Sequence, residues 1–184
     1  MKREKAAGES VPLRRLLVAG LGNEILTDDG IGAGIVRFLE RSYSTRGVDF
    51  TRQWLGGLEM LEYIPGYREV VFIDAMKTGE GKAGEISYFL PEHFRETLHL
   101  SNVHDLDFCT ALALGRKLEY AMPREILVIA VEITEDKEFG RGYSPEIKRL
   151  FLHICRQIIT FLFPVLQGEM TLAGRIMMQQ DLIV

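Results

Sequence analysis

The residues able to do chemistry fall at three places in the chain. Gly20-Leu21-Gly22-Asn23 leads through the spacer Glu24 to Thr27 into Asp28-Asp29-Gly30. Asp74 ends the apolar run Val70-Val71-Phe72-Ile73, and His104 follows Ser101-Asn102-Val103. Two carboxylates and one imidazole meeting at one point would form a mixed oxygen and nitrogen site for a divalent metal, with positions left for water or substrate. Each residue also has a plainer reading. Asp28-Asp29 stand where a carboxylate can cap the first turn of a helix. Asp74 suits the turn Asp74-Ala75-Met76-Lys77, and a lone histidine is more often a surface or core residue than a ligand.

Other chemistries find less support. Gly20-x-Gly22 invites a dinucleotide fingerprint, but Ile25 occupies its third small position and blocks close approach of a pyrophosphate. Adjacent acids at the helix start would also repel phosphate. A cysteine nucleophile needs a histidine within hydrogen-bond reach. On a common helix Cys109, five positions after His104, faces a different direction, and neither Cys109 nor Cys155 has a setting that favours a thiolate. No G-x-S-x-G elbow and no D-[TS]-G pair occurs. His93, His99 and His153 are ordinary polar or helical positions.

Elements must bring the acids together. Leu16–Leu21, Val70–Ile73 and Ile126–Val131 are continuously apolar, as parallel strands buried on both faces should be. Val48–Gln53 and Glu85–Leu90 are more polar and suit sheet edges. Between them, Ile31, Ile35, Val36, Phe38 and Leu39 form one helical stripe. Leu58–Ile64 predicts a short helix stopped by Pro65-Gly66, Leu106–Leu118 a third, and a long one begins at Ser144-Pro145. This alternation predicts an α/β three-layer sandwich: about five strands in a mostly parallel twisted sheet, helices on both faces. Ligands of such sheets bind beyond the carboxyl ends of the strands, where Asp29 and Asp74 both belong.

The 184 residues suit one domain, here 16–166, with a mobile leader over 1–15 and a tail over 167–184. The tail is apolar but unpatterned, and either docks or frays. With 22 Lys+Arg against 26 Asp+Glu, the net charge of −4 offers no bulk field for nucleic acid. Two cysteines make no disulfide framework, so a reducing cytoplasmic setting is the simpler expectation. No secretory signal opens the chain. The apolar run Ile158–Leu166, interrupted at Pro164, is too short to span a membrane.

In order, these motifs resemble the hydrogenase maturation endopeptidases, nickel-dependent proteases that trim the large subunit of [NiFe]-hydrogenases. The family pattern is a strand, G-x-G-N, a spacer, D-[DE]-G and a helix, matched by Gly20–Asn23 and Asp28–Gly30. A strand ending in an acid and Ala is matched by Phe72-Ile73-Asp74-Ala75. A His opening a helix is matched by Ser101–Leu106, and a late Ser-Pro helix start by Ser144-Pro145. The resemblance runs from about residue 16 to 163.

It implies that Asp29, Asp74 and His104 bind nickel carried by the substrate, and that they act in cutting the C-terminal extension from a [NiFe]-hydrogenase large-subunit precursor. Asp29 stands where many members have Glu, one methylene longer. The D-G-G-T-type loop of many members is replaced by Arg52-Gln53-Trp54-Leu55-Gly56-Gly57, while Leu58-Glu59-Met60-Leu61 is kept. Two other classes stay open: a non-catalytic, metal-binding, chaperone-like partner of a hydrogenase subunit, and a peptidyl-tRNA hydrolase-like or nucleotide-binding enzyme.

Overall fold

A computed structural model of the chain describes residues 14–43, 47–52, 57–91, 108–140, 142–179 and 181. Its elements are β1 (Arg14–Gly20), α1 (Ile31–Ser42), β2 (Val48–Arg52), a 3-10 turn (Gly57–Glu59) running into α2 (Met60–Tyr63), β3 (Tyr67–Met76), β4 (Ile86–Phe89), α3 (Phe108–Lys117), β5 (Glu125–Glu132), α4 (Pro145–Gln167) and α5 (Leu172–Met178). The sheet order is β2-β1-β3-β5-β4. β1, β2, β3 and β5 are parallel; β4 pairs antiparallel with β5 at the far edge. The two polar segments are the two edges, as their sequences predict.

Alternating side chains of the sheet feed two cores. One face, with Val18, Val71, Ile73, Ile129 and Val131, packs on α1, α4 and the start of α5. The other, with Ala19, Phe72, Val128 and Ala130, packs on α2 and α3. Phe72 and Phe108 meet edge-on there, ring centroids 5.3 Å apart. Because the central strands are buried on both faces, their middle stretches (Leu16–Ala19, Val70–Ile73 and Ile126–Val131) are unbroken apolar runs.

The apolar run that Pro164 interrupts lies within one helix: α4 carries that proline inside its last turns. A proline there removes the N–H that would bond to Thr160. Arg175 of α5 takes its place: its Nη2 donates to the Thr160 carbonyl at 3.4 Å and its Nε to Phe161 at 2.8 Å. The last carbonyls of α4, on Val165 and Leu166, accept from the Arg15 guanidinium, and Gly168 closes the helix with φ 76°. By length and composition α4 would cross a membrane, with mean hydropathy 1.5 and 39% of its most apolar stretch buried. A core helix passes the same test, and α4 lays Ile147, Ile154, Ile158, Leu162 and Val165 into the sheet core. The segment after 167 is docked over 172–178: Leu172 is fully buried and its N–H bonds to the buried Glu69 carboxylate at 3.1 Å.

Candidate active site

β1 is followed by β2 on one side of it, while β3 lies on the other. The crevice beyond the carboxyl ends of β1 and β3 is therefore the topological switch point, the position where open α/β sheets take ligands. Two segments line it: the loop from β1 to α1, and the last residues of β3.

The loop is folded tightly by small residues. Leu21 N–H bonds to the Ile73 carbonyl at 2.8 Å, carrying the β1–β3 pairing to the rim. Gly22 turns the chain with φ 103°, and a Cβ there would lie 1.9 Å from the Asp29 carbonyl oxygen. Gly32 brings α1 against the sheet so closely that a Cβ would sit 2.2 Å from the Ile73 carbonyl oxygen. No side chain caps α1. Its N-cap is Gly30, and Ile31 N–H bonds to the Asp28 backbone carbonyl. The capping role open to Asp28-Asp29 is thus not theirs at this helix.

The two acids diverge. Asp28 is fully buried and points away into the loop between β5 and α4, accepting from Thr134 Oγ1 at 3.0 Å, Glu135 N at 3.1 Å and Ser144 N at 2.7 Å. Ser144 is the N-cap of α4, its Oγ accepting from Ile147 N. Asp28 thereby fastens the two rim loops together. Asp29 is half-buried, and its Oδ2 accepts the Asn23 N–H at 2.6 Å. Asn23 in turn uses its own side-chain oxygen to hold Ile25 N at 3.1 Å. The Gly-x-Gly-Asn run is therefore an aiming device for Asp29.

Asp74 does not end the strand or open a turn, as the sequence suggests: β3 runs on through the buried Ala75 and Met76, and Asp74 sits within it, 8% exposed, its Oδ1 accepting the Ala75 N–H at 2.8 Å. Burial pushes its carboxyl up to about 7; the Ala75 N–H works against that rise, and the negative charge of Asp29 adds to it. The coupling places the two carboxylates in one neighbourhood at the switch point. Among the described residues no cationic side chain acts on Asp74. A buried acid beside another acid lacks its counter-charge, which is the electrostatic setting of a cation site.

His104 lies outside the described residues, as do His93, His99 and Trp54. Among the described residues no group of three His, Cys, Asp or Glu side chains gathers around one point. His153 is exposed on α4, away from the rim, and both cysteines are free. Burial holds the Cys155 thiol up to about 12, and Cys109 Sγ donates to the Pro91 carbonyl at 3.0 Å. The raised, buried Cys155 thiol is no thiolate nucleophile. Sequence reasoning missed Glu132, buried at the end of β5, whose Oε1 accepts from Thr78 N, Thr78 Oγ1 and Gly79 N. That carboxylate fastens the turn after β3. Its only advance signal is an acid at the end of an otherwise apolar strand.

Fold and rim define an α/β protein with an acidic pair at the switch point. Comparison with known proteins gives the class a name. The HycI model of the hydrogenase maturation protease family matches residues 34–160. The Hydrogenase 2 maturation protease of Escherichia coli (strain K12) is 25% identical over 151 residues, covering 80% of this chain and 90% of that protein. Among solved structures, the hydrogenase maturating endopeptidase HybD from E. coli superposes with a TM-score of 0.67 at 23% identity, over 82% of this chain and 93% of that one. The [NiFe] hydrogenase maturation protease HycI from Thermococcus kodakarensis KOD1 gives 0.58 at 21%, over 80% and 91%. The chain belongs to the hydrogenase maturation protease family. The matched range holds Asp74 and His104 and begins after Asp29.

Proposed function

We propose that this family member is an endopeptidase that removes the C-terminal extension of a [NiFe]-hydrogenase large-subunit precursor after nickel insertion, reading the nickel that the precursor carries. The observation that supports it most is the placement of Asp29 and Asp74 at the switch point, where the buried Asp74 feels the charge of Asp29 and, among the described residues, no cationic side chain acts on it. In this reading Asp29, Asp74 and His104 grip the nickel of the substrate. Two carboxylates and an imidazole suit a divalent metal of that kind.

Held by Asp29, Asp74 and His104, the nickel of the substrate would supply Lewis-acid and template chemistry at the scissile carbonyl or a bound water. The chain's own groups do the rest. Asn23 N–H fixes the Asp29 carboxylate toward the crevice. Asp74 holds a proton near neutrality and releases it when a cation takes its place. The backbone around Gly22 and Gly32, packed against Asp29 and Ile73, keeps the pair from relaxing apart.

Mass spectrometry of nickel-loaded and nickel-free precursor, incubated with wild type and with Asp29→Ala, Asp74→Ala and His104→Ala, tests this. The expected result is loss of the C-terminal fragment only from loaded precursor and only with wild type. Equal cleavage of the nickel-free precursor, or full activity of all three variants, rejects it. Stable co-purification with uncut precursor would instead assign the chain to the chaperone-like class.

A further inference from the structure

The carboxyl rim carries an apolar feature that the fold does not use. Phe139 is 82% exposed and Ile25 61% exposed, both on the rim loops beside Asp29. Neither loop is loose. Leu26 and Phe139 form an antiparallel bridge, Gly140 N–H bonds to the Ile25 carbonyl at 3.1 Å, and Thr27 N–H bonds to the Glu138 carbonyl at 3.0 Å. The Thr27 hydroxyl donates to that same carbonyl at 2.6 Å, and the buried Asp28 carboxylate ties the base of both loops. Ile25 is joined through Asn23 to Asp29 by two hydrogen bonds.

Large apolar side chains kept in water on a rigid platform contribute nothing to the fold, yet they bind without an ordering cost. We infer, resting on the function proposed above, that Ile25 and Phe139 are the apolar anchors on which the protein substrate docks, meeting an apolar patch that adjoins the segment to be cut. Position commits the occupant: any protein that presents its chain to Asp29 and Asp74 must lie against these loops. Charge points the same way. Among the described residues of these two loops, Glu24, Asp28, Asp29, Glu135, Asp136 and Glu138 stand against Lys137 alone, so the partner's patch has a basic border. Other exposed apolar residues, Met177 and Met178 on α5, lie with the start of β3 through the Leu172–Glu69 contact, at the opposite end of the sheet.

The test is steady-state cleavage of nickel-loaded precursor by Ile25→Ser, Phe139→Ser and the double variant, with Met177→Ser/Met178→Ser as control. Each rim substitution is expected to raise KM about 10-fold or more while kcat stays within about twofold. Thermal stability and the control should be unchanged. An unaltered KM in the double variant, or an equal rise in the control, overturns the inference. Should wild type fail to cut loaded precursor, the proposed function falls by itself. The Kd of uncut precursor for wild type against the double variant then decides the docking role: weakening supports it and equality ends it.

Discussion

Asp28 Oδ1 accepts the backbone N–H of Ser144 at 2.7 Å, joining residues 116 positions apart and linking the loop after β1 to the first turn of α4. Its other oxygen serves Thr134 and Glu135. The neighbouring acid faces the crevice. One carboxylate of Asp28-Asp29 builds the rim, and the other is the one the proposed function assigns to the metal.

Asp28→Ala should therefore act on stability. Removing a buried acceptor of three hydrogen bonds leaves its donors unpaired, at a cost of about 2–4 kcal/mol. Urea unfolding should show a lower midpoint with an unchanged slope. An effect below about 1 kcal/mol would mean that water replaces the carboxylate without loss.

The raised Asp74 carboxyl sets a pH dependence for metal-free protein. Its pKa is lifted from 3.8 to about 7, so the native state holds a proton that the unfolded chain releases. The stabilising contribution is complete below the unfolded value and is lost as pH rises through about 7. Between pH 4.5 and 8 it should fall by roughly 2–4 kcal/mol relative to Asp74→Asn, which cannot titrate. Parallel urea titrations of the two proteins across that range supply the difference, and identical slopes would contradict it.

Gly22→Ala tests the turn that aims Asp29. At φ 103°, with a Cβ position 1.9 Å from a backbone oxygen, any side chain forces the loop open. A loss of about 2–4 kcal/mol in unfolding free energy is expected. Cleavage should fall further than the folded fraction does, because Asn23 no longer orients Asp29.

Arg175 and Pro164 should be coupled. Arg175→Ala strips the Thr160 carbonyl of its substitute donor and should cost about 1–2 kcal/mol. In a Pro164→Ala background the helix supplies its own N–H to Thr160, so the same change should cost less. A double-mutant cycle with a coupling near about 0.5–1 kcal/mol is expected; additive effects would separate the two residues.

How much of this could be read from the sequence depends on the range of the interactions. β1, β3 and β5 were legible because burial on both faces leaves an unbroken apolar run, and the edges β2 and β4 because it does not. The α4 start was legible because Ser144 caps within its own turn. The passage of α4 through Pro164 was not, since the donor that permits it sits on α5. Likewise nothing near Asp28 distinguishes it from Asp29: its partners are residues 134, 135 and 144, over a hundred positions on. Asp74 was conspicuous as an acid closing an apolar run, but the strand runs on through Ala75 and Met76. That it lies at the same rim as Asp29 follows only from the β2-β1-β3 order of the sheet.

The tie from Asp28 to Ser144 also governs when the rim can form. Contacts of such long sequence separation close late, after the loop they span has been ordered. During synthesis the Asp28 carboxylate emerges early, stays without a partner among these until residue 134 has been made, and gains its full set of donors only with residue 144. A nascent or truncated chain ending before α4 can pair β1 with β3 but cannot lock the loop that carries Asp29. The order of translation thus delays the locked rim until the start of α4 has been made.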